Sequence, residues 1–231
     1  MIDVKEHEYH LKRILRDIIS DATLNNQLVF KGGTCLYLFY DLGRFSVDLD
    51  FNLTGKKFDV EKMKLVLDKY LDLKAGDSWE NTNGWLWEAS YKKGYRKMQV
   101  DVNKRKFPDK YEIKQFYGLS IKVLMPEFLF AHKLCAVLDR QKFQNRDLYD
   151  IWFMFENDFP IDKETVELRT GKKVEVYFKE LEKYIKNKVK KEQILQGLGE
   201  LLDRSKKIWV KDHLIEELLV HLKMKREQLG R

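Results

Sequence analysis

Apolar residues recur at helical spacing over residues 5–20. Tyr9, Ile14, Leu15 and Ile18 or Ile19 fall on one side, which predicts an amphipathic helix. Leu28-Val29-Phe30 is a short apolar run ending at Gly32-Gly33, the pattern of a buried strand entering a tight turn. Thr34 stands where it would cap a following helix, from Cys35 to about Asp41. Between Ser46 and Leu53 the period changes to two. Val47, Leu49, Phe51 and Leu53 alternate with Ser46, Asp48, Asp50 and Asn52, which predicts a half-buried strand. Residues 59–72 read as a second amphipathic helix. Residues 85–91 and 96–103 read as two strands joined by a turn near Gly94, and 111–124 as a strand pair turning near Gly118.

Met125-Pro126-Glu127 interrupts this pattern. Behind it the periodicity is helical almost to the end, over about 126–140, 146–156, 162–168, 172–188, 191–203 and 210–228. The predicted class is α+β, with a mixed strand-and-helix domain over 1–125 and an all-helical domain over 126–231.

Composition narrows the class. The chain has 231 residues, 44% of them hydrophobic, 35% charged and 13% aromatic, which suits a folded chain with a real core rather than a disordered one. Two cysteines without metal or disulfide spacing point to a reduced, cytoplasmic setting. The charged first residues carry no apolar signal segment, and no run approaches the roughly 18 apolar residues of a membrane helix, so no membrane association is expected. The net charge of +7 is unevenly spread: residues 171–231 hold 16 basic and 10 acidic residues, a net +6. A segment that meets a polyanion has this bias, and so does a plain solvated helical surface.

Asp48 and Asp50 are two apart in the predicted strand and would share a face. Two carboxylates held this close repel each other, and a cation between them relieves that repulsion. A solvent-facing strand edge with two incidental acids is the competing reading. Three neighbours favour the cation. The Gly32-Gly33 turn would open a helix whose backbone N–H groups suit a phosphate. Mg²⁺ takes oxygen ligands and binds through a few carboxylates together with substrate phosphates. Asp101 is a third acid between apolar neighbours on a predicted strand, in Met98-Gln99-Val100-Asp101-Val102-Asn103. Three strand-borne acids and a glycine turn are the parts of a two-metal phosphoryl-transfer site.

Lys31-Gly32-Gly33-Thr34 followed by Arg44-Phe45-Ser46-Val47-Asp48-Leu49-Asp50-Phe51 resembles the first motif of DNA polymerase β-like nucleotidyltransferases. Within that superfamily it is most similar to the AbiEii/MenT group of toxins. Glu127, Lys133, Ala136 and Arg140, then Arg146-Asp147-Leu148-Tyr149-Asp150, look like that group's downstream motifs. The resemblance covers roughly residues 28–155. It departs from many polymerase β-like enzymes in having Gly32-Gly33 where they have Gly-Ser.

The resemblance implies a polymerase β-like lobe followed by a helical lobe, with an NTP bound between them. It implies Mg²⁺, two ions, on Asp48, Asp50 and Asp101. Gly32, Gly33, Thr34, Arg44, Ser46, Lys133, Arg140 and Arg146 would bind the nucleotide. Lys133 would meet its phosphates, and Asp147 would orient Lys133 or Arg140 or act as a base. Asp150 is expected to brace helix packing. The implied acceptor is the 3′ end of tRNA, and the implied partner is a cognate antitoxin. Without the resemblance, Lys133 and Arg140 are two residues two helical turns apart on one face, as in any exposed helix with ordinary salt bridges.

Lys179, Lys183, Lys186, Lys190 and Lys191 are the candidate RNA-backbone surface. Cys35 is expected in the core rather than as a nucleophile, and Trp85 and Trp87 in sheet-face packing. A protein or small-molecule acceptor, and a non-enzymatic nucleotide- or RNA-binding module, remain the rival readings.

Overall fold

The computed structural model describes residues 3–140 and 142–229. The chain divides into two compact units: Met1–Asp41 with Phe45–Met125, and Leu42–Arg44 with Pro126–Arg231.

The first unit runs α1 (Val4–Ser20), α2 (Ala22–Gln27), β1 (Leu28–Lys31), α3 (Gly32–Phe39), β2 (Leu49–Leu53), α4 (Val60–Leu67), β3 (Ser78–Asn81), β4 (Gly84–Ala89), β5 (Met98–Asn103), β6 (Tyr111–Phe116) and β7 (Leu119–Leu124). Its strands form one seven-stranded mixed sheet in the order β3-β4-β5-β2-β1-β7-β6. β1 pairs with β7, and β2 with β5, in parallel; the other pairs are antiparallel. The alternation in β2 sets its faces: Leu49, Phe51 and Leu53 are buried while Asp50 and Asn52 are half-buried. Phe30 of β1 meets Phe51 at 5.3 Å between ring centroids, and both are fully buried. Each such phenyl contributes about 1.5–3 kcal/mol of transfer free energy.

Helix α1 starts where the Asp3 carboxylate accepts from the Glu6 amide at 3.1 Å, an N-cap that satisfies an orphan donor. It buries His7, Leu11, Ile14, Leu15, Ile18 and Ile19. Tyr9, expected on that apolar side, lies outside it: its ring is 54% exposed and its hydroxyl accepts from Arg13. His7 and Leu11 fill the inward positions instead.

The second unit runs α5 (Pro126–Asp139), α6 (Asn145–Glu156), α7 (Lys163–Thr170), α8 (Val174–Lys188), two short 3₁₀ turns at Lys191–Gln193 and Gly199–Leu201, then α9 (Arg204–Asp212) and α10 (Leu214–Leu229). The expected helix over 191–203 is thus replaced by two 3₁₀ turns. Gly197 sits between them at φ 68°, a left-handed conformation that interrupts a helix. The expected helix over 210–228 is two helices: Asp203 caps α9 through the Lys206 amide, and the chain breaks at His213. Among the described residues, no helix is long and apolar enough to cross a membrane.

Candidate active site

Two groups of charged side chains stand out, one in each unit. In the first unit Lys31 of β1 pairs in register with Asp50 of β2, and Asp50 with Asp101 of β5. Residues in register project from the same sheet face, so the three form a row across neighbouring strands. All three are half-buried. Burial lowers the Lys31 ammonium below its ordinary range, and Asp50 and then Asp101 oppose that fall. The alternation of Val100 and Val102 around Asp101 anchors β5 while leaving the acid on the polar face.

Asp48 lies just ahead of β2 rather than on it. Its Oδ1 accepts from the Gln99 amide at 3.3 Å, and its carbonyl accepts from the Thr34 hydroxyl. Thr34 therefore does not cap α3. The helix begins two residues earlier at Gly32, with Lys31 in the cap position and no side-chain cap bond. Gly32 has φ 83°, and a Cβ there would overlap the Asp50 carboxylate, so only glycine fits beside that acid. The other neighbour of Asp48, Val47, offers its carbonyl to His7 Nε2 at 2.9 Å. His7 is fully buried, and burial lowers its pKa, with the Val47 hydrogen bond opposing. Cys35 is fully buried and its thiol is pushed up by burial, as a core residue rather than a nucleophile.

Whether these acids suit a divalent cation can be read from their donor atoms. The donor set fits a hard ion, because Asp48, Asp50 and Asp101 offer only carboxylate oxygens. The arrangement is open rather than a closed cage. Among the described residues, no group of three or more His, Cys, Asp and Glu side chains is gathered to hold a metal ion. Asp50 and Asp101 pair across strands, while Asp48, expected on the strand, precedes it and leans on the Gln99 amide.

The second unit holds the opposite kind of cluster. Arg44 donates to both oxygens of Asp150, Nε to Oδ1 at 2.6 Å and Nη2 to Oδ2 at 2.8 Å. Lys133 Nζ lies 2.6 Å from Asp150 Oδ2 and 3.5 Å from Asp147 Oδ1, and Arg140 Nε lies 2.7 Å from Asp147 Oδ2. Asp147 and Asp150 have no solvent exposure, and Arg44 is 3% exposed. Burial alone would raise the Asp150 carboxyl. Arg44 and then Lys133 outweigh it, and the net result is a fall to about 2. The Asp147 oxygens have these charge partners but no well-aligned hydrogen bond.

Arg44, expected at the nucleotide, is instead buried and held bidentately by Asp150, 106 residues along the chain. Ser46 is also buried, and the Thr34 hydroxyl is engaged by Asp48. Gly33 is buried in α3, and Arg146 is half-buried at the start of α6. Lys179, Lys183 and Lys186 sit on the exposed side of α8, away from buried Tyr177, Phe178, Leu181 and Ile185. Lys190 and Lys191 follow that helix, and Lys191 reaches the Asp212 carbonyl at 3.2 Å. Sequence reasoning missed the contributions of Lys31 and His7. Lys31 was legible once β1 and β2 are paired antiparallel from Phe30 and Phe51. His7 left no signal beyond an apolar-face position.

A protein-family model described as "Nucleotidyl transferase AbiEii toxin, Type IV TA system" matches residues 13–217. Two crystal structures from Helicobacter pylori share the fold. JHP933 gives a TM-score of 0.60 at 20% identity, over 100% of this chain and 94% of its own. A second, described as a candidate nucleotidyltransferase, gives 0.61 at 20% identity, over 100% and 97%. No curated protein matches the chain in sequence.

Proposed function

The chain belongs to the AbiEii family of nucleotidyl transferase toxins and is a nucleotidyltransferase, and on that premise we propose that it transfers a nucleoside monophosphate from an NTP to the 3′ end of an RNA, tRNA foremost. The observation that carries this reading is the row Lys31–Asp50–Asp101 beside Gly32, where a side chain is excluded so that Asp50 can lie against the start of α3.

Asp50 and Asp101, with Asp48 as a third carboxylate, would hold Mg²⁺, which supplies positive charge to the triphosphate oxygens when bound. The amide end of α3, with no side-chain cap, suits a phosphate of the NTP. Asp101 accepts the proton of the acceptor hydroxyl as its oxygen bonds to the α-phosphorus. The bond from that phosphorus to the bridging oxygen breaks, and pyrophosphate leaves. Lys133, Arg140 and Arg146 are the proposed nucleotide ligands of the helical unit, and Asp147 orients Lys133 and Arg140. Asp150 fixes Lys133 from its other side. A cognate antitoxin is the proposed protein partner.

The test is incubation with each labelled NTP, Mg²⁺ and total tRNA. Label on RNA that disappears in Asp48→Ala supports the reading. Label on protein alone replaces RNA with a protein acceptor. NTP binding without any transfer marks a binding module and overturns it.

A further inference from the structure

A cavity of about 240 Å³ lies in the helical unit, between the α5–α6 turn and the segment that follows α8. Lys142, Lys188 and Lys190 line it, together with Gln144, Gln193 and Gln196. Among the described residues, no carboxylate lines it. Other lysines, such as Lys172 with Glu180 at 2.6 Å and Lys104 with Glu80 at 3.1 Å, have an acid beside them. Three exposed ammonium groups around a concavity without acids repel one another, and a bound anion relieves that repulsion.

The cavity wall is tied in place. Asn145 Nδ2 donates to the Gln193 carbonyl at 2.7 Å and to the Gln196 carbonyl at 3.2 Å, which fixes the start of α6 against the 3₁₀ segment. Phe143 packs on Tyr184 of α8 with centroids 5.6 Å apart. The twelve-residue α6 opens at this wall with Gln144 in the cap position and no side-chain cap bond, so the positive end of its dipole adds to the lysines. Water takes about 30 Å³ of liquid volume, so the cavity has room for a phosphate group and several waters. Arg140 and Asp147 flank the same α5–α6 turn, which puts the cavity beside the cation cluster of this unit.

We propose that this cavity is a phosphate site that takes a backbone phosphodiester of the RNA acceptor. The proposal rests on the RNA-acceptor reading above and extends the basic surface from the α8 lysines to Lys142, on a different element. A phosphodiester matches three point charges and amide donors, and it carries a single charge that this set can neutralise. A free nucleotide offers the same oxyanions and is the alternative source.

The test uses the full chain with Lys142, Lys188 and Lys190 all changed to Gln. Binding of a fluorescein-labelled single-stranded RNA 12-mer is followed by anisotropy at several salt concentrations, and binding of a fluorescent ATP analogue is followed in parallel. The expected result is an affinity for RNA about tenfold weaker and a log K against log salt slope shallower by about 0.7 or more, with ATP-analogue binding unchanged. Unchanged RNA affinity and slope overturn the proposal. Loss of analogue binding with RNA binding intact also overturns it and assigns the cavity to free phosphates. An equal loss in a control with Lys163, Lys211 and Lys223 changed to Gln overturns it too, as bulk charge. None of these readouts requires transfer activity, so failure of the transfer reading is seen separately.

Discussion

The two charged groups differ in how far each is finished. The carboxylates of the helical unit's cluster are closed off, while Arg140 at its edge is 41% exposed. Arg44, Lys133 and Arg140 face Asp147 and Asp150, and both carboxylates are shut off from solvent. The row of the sheet unit is open. Lys31, Asp50 and Asp101 are half-buried, and Asp48 stands alongside with one oxygen on a backbone amide. Asp48, Asp50 and Asp101 offer carboxylate oxygens on or beside this row, the ligand type that a hard divalent cation takes. A buried network of charges is built to hold side chains in place. An open acidic row is built to receive a ligand. Under the proposed function, the buried carboxylates of the first cluster would hold Lys133 and Arg140 in place, and the open row would take the cation.

The largest effect is expected at Asp150. Asp150→Ala leaves Arg44 and Lys133 buried without their carboxylate, and urea unfolding should show a loss of about 3–5 kcal/mol. Asp50→Ala, at a half-exposed site with a second acid beside it, should change stability by less than about 1 kcal/mol. Equal losses would break the contrast.

The next effect is in pH. The folded Asp150 carboxyl sits at about 2, below its ordinary range. Its contribution is present above about pH 4 and lost as pH falls towards 2, on the order of 2 kcal/mol. His7 acts the same way at higher pH. Its folded pKa is lowered, so the unfolded chain takes up the proton first, and stability declines as pH falls below about 6.5. Thermal unfolding at pH 7.5 and 5.5 reads this directly, and His7→Gln should flatten the slope.

Gly32→Ala introduces a Cβ at φ 83° and into the Asp50 carboxylate. About 1–2 kcal/mol of strain is expected by denaturant unfolding, with nucleotidyl transfer falling further than stability does.

Much of the fold is legible in the sequence wherever one local period decides it. The alternation in 46–53 predicts which face of β2 is buried. What the sequence hid depends on partners far away in the chain. The row Lys31–Asp50–Asp101 needs β1, β2 and β5 to be neighbours, and β5 begins 45 residues after the end of β2. Arg44 reads locally as part of the glycine-and-acid motif, yet Asp150 engages it from α6. Tyr9 fits an apolar face by periodicity and lies outside it, because Arg13 one turn on holds its hydroxyl in solvent. The 191–203 stretch reads as helix by spacing and is not, because Gly197 turns the chain left-handed.

The central claim is that the acidic row receives a cation together with the nucleotide. Mn²⁺ binding to the wild-type chain and to Asp50→Asn, measured by calorimetry with and without a non-hydrolysable NTP, tests it most directly. The account predicts that the wild-type chain binds Mn²⁺ at least about tenfold more tightly with the nucleotide present, because substrate phosphates complete the ligand set, and that Asp50→Asn abolishes that gain. Equal Mn²⁺ affinity in the two proteins, with or without nucleotide, would contradict it.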